Sequence, residues 1–238
     1  MSGQGYNERI FTGGLRARLH LSRFTMLAGS LNRLDFQPES VVELGCFDGK
    51  TIDYLPVKPA RYVGLDANWE GGLDLARQSW GGESAFKFLE CKTPEDIRLE
   101  EKYDLSVCME MLEHVPSEMV APYLEKLAGL TTKFSFITVP NEIGLVLAAK
   151  YISKRLSGMA VEAYTLSELW NAMLGKTEFV LRNEHKGFDY RILLESVSQY
   201  FDVIDVFPTP YRWLPRQAGF GICIVAAAKD LMSLSEAV

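Results

Sequence analysis

The chain has 238 residues and a formal net charge of −6, enough length to bury one full core without requiring a second domain. The acidic balance argues against a broad nucleic-acid footprint, which needs clustered Lys and Arg, while leaving room for a local basic patch. No basic-then-apolar leader opens the sequence, and its longest apolar runs, such as 221–228, are too short to span a bilayer.

A cytoplasmic protein is therefore expected, with Cys46, Cys91, Cys108 and Cys223 as buried thiols and not disulfide partners. Residues 1–13 read as a glycine-bearing arm. The spacing of Leu15, Leu19, Phe24, Leu27, Leu31 and Leu34 then predicts a helix over 15–34 with one apolar face. Arg16, Arg18, His20, Arg23 and Arg33 lie mostly elsewhere on it, as a solvated face or as a contact for an acidic substrate or lipid head group. His20 reads as a surface or capping residue. Pro38 closes this helical cap, which divides the chain into an arm and cap (1–38), a main domain (39–232) and a short tail (233–238).

From there strand and helix alternate. Apolar runs at 41–44, 62–65, 86–89, 105–109 and 134–139 predict five strands, with helices near Thr51, over 70–79 and after Pro116. This is the pattern of an α/β fold, a Rossmann-like, mostly parallel sheet with helices on both faces. An insertion over 142–180 carries two helical patterns, 145–156 and 165–174, the second opening on a Thr165/Glu168 capping box. It reads as a substrate lid, with a peripheral membrane contact through its first helix as the alternative. A helix over 189–200 follows. Runs at 203–207 and 221–228 supply a closing strand pair, seven strands in all.

The first strand breaks into Glu43-x-Gly45-x-x-x-Gly49, and the second ends at Asp66, about twenty residues downstream, where a carboxylate accepts hydrogen bonds from a ribose. Loop and carboxylate describe a nucleoside crevice. A dinucleotide site would place a glycine where Phe47 stands. Glu43 suits a ligand bearing an ammonium group and would repel a pyrophosphate.

These segments, with 103–115 as fourth strand and loop, resemble the class I S-adenosylmethionine-dependent methyltransferases over about residues 40–230. The resemblance implies S-adenosylmethionine as cofactor. It places Gly45, Cys46, Phe47 and Gly49 at the methionine end with Glu43, and Asp66 and Ala67 at the ribose. Cys91 falls near the adenine, and Met109 and Glu110 complete the set at the end of the fourth strand. Phe47 departs from the family's middle glycine. The closing antiparallel pair is also a feature of this class.

The fourth strand is followed by Glu110-Met111-Leu112-Glu113-His114. On one helical turn the two carboxylates face one way with the imidazole nearby, a donor set for Mg²⁺, Mn²⁺ or Zn²⁺. The segment resembles that of ubiquinone-biosynthesis O-methyltransferases and of small-RNA 3′-terminal 2′-O-methyltransferases. That likeness implies metal ligands at Glu110, Glu113 and His114, with His185 of His185-x-x-Phe188-Asp189-Tyr190 as a fourth. Without metal, His114 or His185 is the natural general base and Glu113 orders the loop. Asn141 either contacts substrate or shapes a turn. Tyr211, Arg212 and Trp213 either line an acceptor pocket or pack under their proline-rich loop, whereas Tyr164, Trp170 and Phe179 are expected to pack in core or lid. The expected activity is O-methylation of a small-molecule, sugar or lipid-linked glycan acceptor, with nucleic acid disfavoured. The alternatives are a metal-dependent RNA 2′-O-methyltransferase and a non-catalytic nucleoside-binding scaffold.

Overall fold

The computed structural model describes residues 14–156, 158 and 161–229. The expected arm (1–13) and tail (233–238) lie outside the described residues. Helix α1 (Gly14–Arg33) precedes β1 (Ser40–Leu44), β2 (Arg61–Asp66), α2 (Gly72–Trp80), β3 (Phe86–Glu90), β4 (Tyr103–Met109), α3 (Ser117–Leu130) and β5 (Thr131–Pro140). The insertion supplies α4 (Gly144–Leu156) and α5 (Leu166–Met173). Helix α6 (Tyr190–Tyr200), β6 (Phe201–Thr209) and β7 (Gly221–Ala228) close the fold.

The strands form one seven-stranded sheet in the order β3-β2-β1-β4-β5-β7-β6. All run parallel except β7, which pairs antiparallel with both β5 and β6. Alternation along the strands divides the core into two layers. Val41, Leu105, Val107 and Phe136 meet Phe24, Leu27 and Leu31 of α1 and Leu73 and Ala76 of α2. Val42, Leu44, Ile137 and Val139 meet Leu124 and Leu127 of α3 and Leu193 and Val197 of α6. Strand order reverses between β1 and β4, so the crevice between their carboxyl ends is the ligand position for this topology.

One expected element is shorter than its sequence promises. Residues 50–54 form a 3₁₀ turn (Lys50–Tyr54) and not an α-helix. Pro56 forces Leu55 into extended backbone (φ −69°, ψ 139°) before a second turn can form. The four cysteines are buried free thiols. Among the described residues no helix is long and apolar enough to cross a membrane.

Candidate active site

The glycine loop leaves β1 in left-handed backbone: Gly45 has φ 77°, Phe47 φ 46° and Gly49 φ 71°. Gly45 and Cys46 donate their N–H groups to the Leu65 carbonyl, at 2.7 and 3.2 Å, which ties the loop to β2. A Cβ on Gly45 would lie 2.9 Å from Cβ of Met111, so the loop after β4 closes directly over it. Asp66 organises the crevice's other wall. Its carboxylate accepts the Phe47 N–H at 3.0 Å and the Asn68 N–H at 2.8 Å, and burial pushes its pKa up. Each oxygen keeps a lone pair for a further donor. Ala67 is half-buried beside it. Buried Cys91 donates its N–H to the Asp66 carbonyl at 2.8 Å, and Met109 is buried at the end of β4.

Glu43 is held by two hydroxyls of the protein. It is buried, and its two oxygens accept hydrogen bonds from the hydroxyls of Thr51, at 2.5 Å, and Tyr62. Burial raises its pKa to about 8, which favours the neutral form near pH 7. Thr51 and Tyr62 were not singled out in the sequence, since neither belongs to a motif.

The Glu110–His114 segment is a turn and not a helix, and the two carboxylates have different surroundings. Glu110 sits in left-handed backbone (φ 54°) and accepts the Thr138 hydroxyl at 3.3 Å. Together with Leu19, His20 and Arg23 of α1 it lines a small crevice against Thr209, Phe220 and Gly221. His20 packs edge-on to Phe220 there, at 5.5 Å between ring centres, and is no plain surface residue. Glu113 is fully buried.

Glu113, His114 and His185 come together, their candidate ligand atoms all within 4.8 Å of one another. Glu110, expected as a ligand beside Glu113 and His114, is not in this group, whereas His185, the expected fourth, is. Neither Glu113 oxygen has a hydrogen-bond partner, nor has the buried His185 Nδ1. Desolvation, reinforced by the Glu110 carboxylate, lifts the Glu113 pKa well above its usual range. Burial lowers the pKa of His114, and burial with the neighbouring His114 pushes that of His185 down to about 4. Across the His114 Nε2–Glu113 Oε1 contact of 3.8 Å both shifts disfavour the charged forms. The imidazoles meet edge to face with ring centres 4.5 Å apart. A hairpin bridged between Asn183 and Lys186 presents His185. Arg182, missed in the sequence, ties that hairpin to the β4 loop by donating to the Leu112 and Val115 carbonyls at 3.5 and 3.3 Å.

The remaining candidates separate. Asn141 is a latch: its amide donates to the Arg216 and Gly219 carbonyls, at 3.2 and 3.0 Å, and fixes the β6–β7 connection to the end of β5. Trp213 and Tyr211 stack on each other with Trp213 80% exposed, so neither packs under its loop. Arg212 pairs with Asp205. Tyr164 packs against Leu147, Ala172 and Val180 of the insertion, whereas Trp170 and Phe179 are 62% and 63% exposed.

Sheet order, switch-point crevice and closing antiparallel strand together define the fold of the class I S-adenosylmethionine-dependent methyltransferases. Solved structures agree. An S-adenosylmethionine-dependent methyltransferase from Clostridium acetobutylicum matches with a TM-score of 0.63 at 10% identity, over 93% of this chain and 95% of its own. The methyltransferase domain of bacterial CtHen1 matches with 0.61 at 13%, over 88% and 99%. The S-adenosylhomocysteine-bound magnesium protoporphyrin IX methyltransferase of Synechocystis matches with 0.57 at 16%, over 92% and 91%. No protein-family model and no curated sequence matches the chain.

Proposed function

We propose that the protein is an S-adenosylmethionine-dependent methyltransferase acting on a hydroxyl of a small-molecule, sugar or lipid-linked glycan acceptor. The observation that carries this reading is the meeting, at one sheet edge, of the Gly45–Gly49 loop, the Asp66 carboxylate and the Glu113/His114/His185 cluster. When bound, S-adenosylmethionine supplies a methyl already activated by its sulfonium. The chain's own part is to position the acceptor and take its proton. His114 is neutral and partly exposed, hence able to accept a proton from a hydroxyl. An oxygen acceptor is preferred because a neutral hydroxyl needs that help.

A second reading adds a divalent ion. It is favoured by Glu113, a fully buried carboxyl with both oxygens unpartnered beside two neutral imidazoles. Those three residues would hold Mg²⁺, Mn²⁺ or Zn²⁺, which would acidify an acceptor hydroxyl. On this reading an RNA 2′-hydroxyl becomes the rival acceptor, opposed by the net charge of −6.

Titration calorimetry with S-adenosylhomocysteine, with and without Mn²⁺, tests both readings. Saturable binding is expected. A protein that ignores this compound and S-adenosylmethionine but binds NAD overturns the first reading; absence of any ion uptake overturns the second.

A further inference from the structure

We infer that Phe47 and Gly72 are a matched pair setting the width of the nucleoside crevice. The Phe47 ring walls the ribose side beside Asp66, and Gly72 keeps that ring out of the ligand's path. The inference rests on the cofactor reading above and goes beyond it, because Gly72 lies outside the glycine loop, at the first residue of α2.

Phe47 occupies the loop position where close ligand approach favours glycine, and it adopts glycine's backbone there, with φ 46°. For a residue with a side chain that conformation is disfavoured, because Cβ crowds the following carbonyl oxygen. The loop compensates by donating the Phe47 N–H to the Asp66 carboxylate at 3.0 Å. With the backbone pinned, the benzyl group needs a seat, and the backbone of Gly72 is that seat. A Cβ on Gly72 would stand 2.4, 2.7 and 2.9 Å from Cδ2, Cε2 and Cγ of the ring. Contacts this short, one of them to the ring carbon nearest the backbone, are relieved only by moving the whole ring. The space a middle glycine would leave empty has therefore been moved across the crevice to residue 72. Asp66 lies between the two, bonded to Phe47 and to Asn68 in the connection leading to Gly72. A methyl at position 72 evicts the ring while the N–H bond to Asp66 holds its backbone, and the ring turns into the space the ribose needs.

The test compares the effect of Gly72→Ala in the wild type and in a Phe47→Ala background. It reads the dissociation constant of S-adenosylhomocysteine by calorimetry, with circular dichroism to establish folding. Gly72→Ala is expected to weaken binding by about tenfold or more in the wild type and by no more than about twofold once Phe47 is Ala. Equal losses in both backgrounds, or no loss in a folded Gly72→Ala protein, overturn the inference. If Gly72→Ala alone does not fold, the comparison is between Phe47→Ala/Gly72→Ala and Phe47→Ala. Equal affinities and a restored fold support the pair, and a double variant that stays unfolded or binds much more weakly overturns it. A wild type that binds no S-adenosylhomocysteine would instead bring down the cofactor reading itself, a separate result from any difference among variants.

Discussion

Replacing Glu43 by Gln separates two roles for the first acidic residue of the glycine loop. In the folded chain Glu43 is buried between the Thr51 and Tyr62 hydroxyls, and desolvation raises its pKa from 4.5 to about 8. Below 4.5 the folded and unfolded chains both hold the proton. Between 4.5 and about 8 the unfolded chain releases it while the folded chain keeps it, so stability is lost as pH rises through this window. Each pH unit costs 1.36 kcal/mol, which between pH 5 and 7 amounts to about 3 kcal/mol, or roughly 6–12 °C in Tm for a chain of this size. Asp66, Glu110 and Glu113 are shifted the same way, so the wild-type profile alone does not isolate Glu43.

The Gln variant does. Its amide fits the same space, and both neighbouring hydroxyls donate and accept, so the hydrogen bonds survive in altered polarity. Urea denaturation followed by tryptophan fluorescence at pH 5, 6, 7 and 8 is expected to show Glu43→Gln gaining about 3 kcal/mol on the wild type between pH 5 and 7. Parallel profiles for the two proteins would refute the reasoning. They would mean that Glu43 is ionised when folded and free to offer its charge to a ligand ammonium.

Asp66→Ala should weaken S-adenosylhomocysteine binding by about tenfold or more, since it removes the ribose acceptor and two backbone anchors; calorimetry on a protein with a wild-type circular dichroism spectrum that shows unchanged affinity would dismiss the ribose role. His114→Ala should lower turnover by about a hundredfold while changing S-adenosylhomocysteine affinity little, and the reverse pattern would make His114 a cofactor contact. Glu113→Ala should abolish any Mn²⁺ uptake seen by calorimetry and any metal stimulation; an enzyme indifferent to EDTA ends the metal reading outright. Gly45→Ala places a methyl 2.9 Å from Met111 Cβ at φ 77° and should cost about 1–3 kcal/mol in urea unfolding, with a neutral result showing that the β4 loop moves aside freely.

The sheet was legible because each strand is a short apolar run bounded by charge, Gly or Pro, a signal that lies within the strand itself. Asp66 was legible for a similar reason: in a βαβ unit a fixed chain distance brings the second strand's end beside the first loop. What escaped depends on partners remote in sequence or on single backbone angles. Glu43 looked like a ligand group because its donors, Thr51 and Tyr62, belong to no pattern. Glu110 and Glu113 looked alike because spacing assumes a helical turn, and Glu110 instead sits in left-handed backbone at the start of a turn. Position 47 looked like a defect because the glycine that compensates for it stands 25 residues on, in a Gly71–Gly72 pair that reads as a helix start. The exposed Trp170, Phe179 and Trp213 show the opposite failure, in which hydrophobicity alone predicts burial that the lid and closing loop do not provide.

The three raised glutamates at this sheet edge differ in their partners. Glu43 is satisfied by two hydroxyls. Glu110 has the Thr138 hydroxyl and the positive fields of Arg23 and Lys150. Glu113 alone keeps both oxygens without a hydrogen bond, and each unsatisfied buried polar atom costs on the order of 1–3 kcal/mol. Protonation removes the charge but leaves the hydrogen-bonding deficit, and a general base at His114 does not require a buried acid behind it. A divalent ion among Glu113, His114 and His185 would answer both, because neutral imidazoles are already in the ligating state and the Glu113 carboxylate would supply the charge. Glu113 is thus the residue on which the two proposed readings part.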